Sequence, residues 1–375
     1  MNAQHLMNPL RRERGVTLVE LMVAIAINLV LVLAATLLYL NTRSTQRAVD
    51  EKSAVSETGQ FALELLGRDI TLAAFYPMAA SEPEVAGAPT LSAVPVTYDI
   101  AAERLVNGGQ LKPAYRRGLM GCDGQAFSAK DHVCDAAAAD FDSLVVAYFT
   151  SDALGLTAGL RADCTRADVA NDGKVAPNAS RVGVMPQSEA DKKAGKAPSA
   201  RTESGLQPAS PLLVINHYFL RPIELLTEGG RTVQTNALAC RGNGRQVGGT
   251  MVAADLITGV EQMEITYGVR APDLGFAGMT PHRYLTATQV SGLKDMSIGD
   301  LTLDAWQQVL TVKVCLMVRS TESTAPRNAK GEVVPVNDCS GEPMALADGG
   351  LVQRFERVFS LKNRQGVSPV IRVGG

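Results

Sequence analysis

Residues 11–39 read RRERGVTLVELMVAIAINLVLVLAATLLY, and their order decides how the chain is built. Arg11, Arg12 and Arg14 crowd a short polar leader. Gly15 follows, and then an apolar run broken near its start by one carboxylate, Glu20. An ordinary secretory signal places its small cleavage residues after the apolar run. Here the small residue comes first, so cleavage after Gly15 would leave the apolar helix on the mature chain.

From Val16 to Leu40 the only charged side chain is Glu20. A helix of that length, at about 1.5 Å per residue, reaches across a bilayer core of about 30 Å. The arginines ahead of it keep the leader on the cytoplasmic side. A carboxylate inside such a span costs roughly 2.5–3.5 kcal/mol on insertion scales and so calls for a partner. Asn28 is the other polar residue of the span, able to bond across to a second helix or to be tolerated within its own.

Gly15, Val16, Thr17, Leu18, Val19 and Glu20 resemble the class III signal of type IV prepilins and type II secretion pseudopilins. Val16 departs from the Phe usual at its position. The resemblance implies that a prepilin peptidase cuts between Gly15 and Val16 and methylates the new N-terminus. It also implies that Glu20 acts in assembly, meeting the α-amino group of a neighbouring subunit.

The helix is expected to continue past the membrane. Ala48, Val55, Phe61, Leu65, Leu66, Ile70 and Leu72 recur at three- and four-residue spacings, which predicts an amphipathic helix ending before Pro77 with Gly59 as a weak point. The expected divisions are a leader at 1–15, a membrane half at 16–40, an amphipathic half at 41–76 and a β-rich domain at 77–375.

Within that domain, 78–96 reads as loop with at most a short strand. Residues 107–140, with five glycines and two cysteines, read as a stapled loop. Strands are expected at 143–150, at 211–221 with a hairpin partner near 231–239, at 306–319 and at 351–362. Residues 251–270 read as a short helix or turn leading into a strand. In the 306–319 strand, Leu310, Val312, Val314, Leu316 and Val318 form the expected core face. Residues 177–211 are polar and aperiodic, an expected mobile excursion. The fold class is therefore α+β: one long helix on a mainly antiparallel sheet.

The DLITGVEQMEITYGV, WQQVLTVKVCLMVRS and FERVFSLKNR stretches resemble PilW-type minor pilins. That resemblance implies an initiating or tip complex with other minor pilins in the inner membrane, priming of the major pilin, display of a large tip adhesin, and a final place at the pilus tip. A J-type minor pseudopilin of type II secretion is the alternative.

Cys122, Cys134, Cys164, Cys240, Cys315 and Cys339 form no CxxC and no zinc-finger spacing with histidine. An even count in an exported domain suggests disulfides. Of fifteen possible pairings, the sequential set closes the shortest loops; free buried thiols are the other reading. Losing the leader takes three Arg and one Glu, so a formal −2 becomes 33 basic against 37 acidic residues, or −4. No basic stripe points to nucleic acid. No cofactor motif or catalytic constellation is present. The ADCTRADVANDGK loop at 162–174 carries Asp163, Asp168 and Asp172 but Lys174 where an EF-hand needs Glu, so it reads as a polar turn. His132, His217 and His282 are scattered, and His217 reads as a structural strand histidine.

Overall fold

The computed structural model describes residues 15, 17–75, 96–99, 104–107, 117–128, 133–138, 141–149, 162–167, 169, 182–184, 200–202, 213–227, 230–247, 250–271, 280–298 and 301–365. The chain divides into two compact units, Met1–Lys52 and Ser53–Gly375. One helix, α1, runs Leu18–Leu72 without interruption. No proline falls between Pro9 and Pro77 to break it. It ends four residues short of the expected boundary at 76. Ala74 turns left-handed at φ 59°, and its N–H leaves the helix for the carbonyl of Ala147 at 3.1 Å.

The C-terminal third of α1 buries Val55, Leu66 and Ile70 of the expected apolar stripe, but the buried face is centred away from Phe61 and Leu72. Val55, Gly59, Ala62, Leu63, Leu66, Gly67, Asp69, Ile70 and Ala73 face the domain. Phe61 and Leu72, expected in the core, are 52% and 40% exposed. Gly59 is not a weak point but a contact: a Cβ there would lie 2.4 Å from the Phe355 ring. A Cβ on Gly67 would lie 2.1 Å from Phe359. Eight helical residues rise about 12 Å, and four strand residues rise about 13 Å. Two Gly–Phe contacts therefore stay in step along the helix–strand interface.

Among the described residues, nine antiparallel strands make the two larger sheets. They are β1 (Leu119–Cys122), β2 (Ser143–Phe149), β3 (Leu213–Leu226), β4 (Thr232–Val247), β5 (Thr250–Thr258), β6 (Val260–Val269), β7 (Arg283–Leu285), β8 (Val309–Arg319) and β9 (Val352–Ser360). The first sheet has the order β5-β4-β3-β2-β1 and the second β7-β6-β8-β9. Short antiparallel pairs join Val96–Asp99 to Arg104–Asn107, Gln125–Ser128 to Val133–Ala138, and Val182–Val184 to Ala200–Thr202.

Several expectations change. The 107–140 region is not merely a stapled loop, because it holds β1 and the Gln125–Ser128 hairpin. The 251–258 stretch is a strand, not a helix or turn. Its pairing with β4 overrides the helix preference of its Ala-Ala-Asp, and Gly259 at φ 80° turns the corner into β6. The 177–211 excursion contains a strand pair; its remaining residues lie outside the described ones. Trp306–Gln308 forms a 3₁₀ turn ahead of β8 rather than its first residues.

β8 is buried on both faces, since Val309, Cys315 and Met317 are as covered as the expected Leu310–Val318 set. The turn around Cys339 and Ser340 covers the second face. Cys339 bonds to Cys315, and Ser340 donates to Glu264 on β6. In β9 the buried apolar residues are Val352, Phe355 and Phe359, whereas Val358 is 47% exposed.

Candidate functional site

The N-terminal unit begins with a built helix start. The Thr17 hydroxyl oxygen accepts from the Glu20 backbone N–H at 3.3 Å, and the Thr17 carbonyl accepts from Leu21 N–H at 3.1 Å. Thr17 is thus the N-cap and Glu20 the third helical residue, in the first turn, where the helix dipole favours a carboxylate. Gly15, Glu20 and Asn28 are exposed; Val16 lies outside the described residues.

Leu18, Val19, Leu21, Met22 and the apolar residues on to Leu40 are exposed, and none of this apolar window is buried. It is long and apolar enough to cross a membrane. The hydroxyls of Thr36 and Thr42 donate to the carbonyls four residues back, at 2.7 and 2.8 Å, which removes their polar cost from an apolar surrounding.

In the second unit, Asp69 fastens α1 to the first sheet. It is buried and takes the Tyr148 hydroxyl at 3.2 Å, the Tyr218 hydroxyl at 2.5 Å and the Asn216 amide. Burial raises its carboxyl above the ordinary value, against the downward pull of those hydrogen bonds, Tyr218 foremost. Asn216 continues the network by accepting from Cys164 N–H at 2.9 Å. The helix end is held as well: the Asn363 amide donates to the Leu72 and Ala73 carbonyls at 3.1 Å each. These are carbonyls that a helix C-terminus leaves without partners. Gly118, at φ 72°, permits the close approach to Ala74 that seats this end.

Asp142 clips the two sheets together. It stands just before β2 and accepts from Gly124 N–H at 3.0 Å and from Ile265 N–H of β6 at 2.8 Å. Burial raises its carboxyl to about 6, with Asp123 and Glu264 adding to the rise. These three carboxylates line one cavity with Phe141, Met263, Ile265 and Thr266. Asp123 is engaged by the N–H groups of Ala287 and Thr288, both at 2.6 Å. Arg319, itself buried, pairs with the partly exposed Glu261 at 3.2 Å and Asp348.

The six cysteines form Cys122–Cys134, Cys164–Cys240 and Cys315–Cys339. The first ties β1 to the hairpin strand Val133–Ala138. The second closes 76 residues onto β4, worth roughly 4–5 kcal/mol on the loop-entropy account. Asp163 beside it is not a solvated turn residue. It is buried and accepts from Thr165 N–H, the Thr165 hydroxyl, Ala167 N–H and Gly244 N–H. Asp168 and Asp172 lie outside the described residues, as does His132. His282 is exposed, and His217 is buried on β3 with no hydrogen-bond partner at either ring nitrogen, so it is not a satisfied histidine. Among the described residues no group of three His, Cys, Asp or Glu could hold a metal.

The sequence motif brought Gly15, Thr17 and Glu20 together, and the structure places the latter two on one helix start. The Asp69, Asp142 and Arg319 clusters had no local signal, because each joins residues far apart in the chain.

Residues 226–363 match the family described as Type IV Pilus-assembly protein W, and residues 10–36 match the prokaryotic N-terminal methylation motif. The first match runs from the end of β3 past β9, and so holds the whole second sheet and the Cys315–Cys339 bridge. The second holds Gly15, Thr17 and Glu20. No curated protein and no solved structure matches the chain.

Proposed function

We propose that this chain, a PilW-type minor pilin of type IV pili, joins an initiating complex with other minor pilins and primes assembly of the major pilin. The observation that carries the reading is the capped, apolar start of α1. Leu18–Leu40 is exposed along its length, so it needs lipid before assembly and other helices afterwards. On this reading a prepilin peptidase removes 1–15 and methylates Val16. Residues 16–40 anchor the chain in the inner membrane, with the leader cytoplasmic and 77–375 periplasmic. Assembly then carries the protein to the pilus tip, where a large adhesin is a fitting partner.

Glu20 supplies the assembly chemistry. A carboxylate in an apolar surrounding needs a cation, and the free N-terminal amine of an adjacent pilin is the group of the right charge at the right depth. The role is structural, with no cofactor and no catalytic step.

Deleting the gene tests the priming role. Surface pili are expected to fall strongly while the major pilin is still made; unchanged piliation refutes it. Sequencing the mature N-terminus checks cleavage separately, with Val16 expected first. Glu20→Ala is expected to leave the soluble domain folded and to abolish co-purification with the partner pilins. Undiminished co-purification would sink the assigned partner of Glu20 without touching the priming test.

A further inference from the structure

Successive residues of a strand point to opposite faces of its sheet. Asn216 and Tyr218 of β3 reach Asp69 on α1, so His217 between them faces away from the helix. There its ring meets Phe127 edge-on at 5.4 Å and Phe219 at 5.0 Å. Val145 of β2 and Arg241 of β4 are its register partners on either side. Phe127 comes from the hairpin that the Cys122–Cys134 bridge ties to β1. His217 is 4% exposed, and among the described residues neither Nδ1 nor Nε2 has a hydrogen-bond partner.

The charged neighbour makes the slot hostile to a second cation. Arg241 lies with its guanidinium 5.4 Å over the Phe219 ring, on the same face. Phe127 from the hairpin, Val145 from β2 and Phe219 from β3 itself bring no charge. Asp163, held beside β4 by Cys164–Cys240, is committed to Thr165, Ala167 and Gly244. A neutral imidazole therefore sits in this slot as one more flat apolar ring. Among the described residues an imidazolium there has no acceptor, and it would face Arg241 in a medium that screens poorly.

We propose that His217 is a proton-triggered latch. Neutral, it lets the disulfide-tied hairpin close over the outer face of the first sheet; on taking a proton from solvent it parts the hairpin from β3 and β4.

The direction of the effect follows from linkage. Burial holds the closed-state imidazole down to about 3, with Arg241 adding to the fall, against an ordinary value near 6.5. Its contribution to closure is complete above the ordinary value and is lost as pH falls toward the closed-state value. Between those limits the closed-to-open ratio falls roughly tenfold per pH unit. Asp69 and Asp142, whose carboxyls are raised, act with the opposite sign in an overlapping range. The informative quantity is therefore the difference between wild type and a variant at each pH.

The test is amide hydrogen exchange on the full chain in detergent micelles, followed from pH 7 to pH 4 and corrected for the intrinsic exchange rate. The amides of 125–128, 214–218 and 238–241 report on the latch. His217→Phe keeps a flat ring in the slot and cannot titrate. Wild-type protection at these amides is expected to fall by roughly tenfold per pH unit relative to His217→Phe below pH 6. His217→Gln is a second untitratable variant, and its profile is expected to flatten too, whatever its starting protection. Parallel wild-type and His217→Phe profiles would overturn the proposal. So would a wild-type loss spread evenly over both sheets.

Discussion

Gly67→Ala is the most direct probe of how α1 is seated. In a helix interior exposed to solvent this change stabilises by about 1 kcal/mol, because alanine loses less backbone freedom. At Gly67 the added Cβ would stand 2.1 Å from Cε1 of Phe359. Carbon atoms settle at about 3.5–4.0 Å, so the ring or the helix must retreat by more than ~1 Å. Phe359 is 7% exposed and has Arg357 over its ring at 5.4 Å, so its room to move is small. Overpacking of this kind costs about 1–3 kcal/mol, and the contact lies at the severe end. The net expectation is a loss of about 1–2 kcal/mol after the propensity gain is set against it. For a domain of this size, with an unfolding entropy of about 2.1 cal/mol/K per residue, that lowers the melting temperature by roughly 1.5–3 °C. Thermal unfolding of the full chain in micelles reads it. A double-mutant cycle isolates the cause: once Phe359→Ala has removed the ring, Gly67→Ala should become stabilising by about 1 kcal/mol. A rise in melting temperature for Gly67→Ala alone would refute the close helix–strand contact.

Asp69→Ala leaves the hydroxyls of Tyr148 and Tyr218 and the Asn216 amide buried without their acceptor, and is expected to cost about 3 kcal/mol or more in denaturant unfolding. The wild type should also lose stability as pH rises through the raised Asp69 carboxyl, and the variant should lack that component; equal pH slopes would contradict it. Asp142, with its carboxyl at about 6, contributes stability that is whole below the ordinary carboxylate value and fades as pH rises through 6. In unfolding at pH 4 and pH 8, Asp142→Asn should shrink the wild-type difference by about 2–3 kcal/mol, and an unchanged difference would rule this out. Binding residues concentrate on loops held by a rigid scaffold, which makes the 177–211 excursion a candidate recognition surface; deleting residues 187–197, which spares the Val182–Val184 and Ala200–Thr202 pair, tests it. Pili counted by microscopy should fall to the level of the gene deletion while the protein stays abundant, whereas normal pili would make the excursion passive.

What could be read in the sequence was what is local. The Gly15–Glu20 motif, the 55-residue helix and the apolar run of β8 each carry their signal within one stretch. The buried face of α1 carries part of its signal, since Val55, Leu66 and Ile70 lie on it as their spacing suggests, but the rest is silent because the partner supplies the bulk. Phe355 and Phe359 fill the contact from β9, so the helix answers with Gly59, Ala62, Gly67 and Ala73, residues that do not register as an apolar stripe. The large residues that do register, Phe61 and Leu72, are then left to solvent. Asp69 is the extreme case. A charged residue on a helix reads as a surface residue, and its burial depends on Tyr148, Asn216 and Tyr218, which are 79, 147 and 149 residues away. The same logic separates the two halves of the helix. Its apolar half shows every large residue outward and has its purpose written in composition. Its domain half hides Val55, Leu63, Leu66 and Ile70 together with small residues and one carboxylate, and the part played by the small residues and the carboxylate is legible only once the sheet is folded against it. A helix built this way ties the membrane-side assembly motif covalently to the sheet domain.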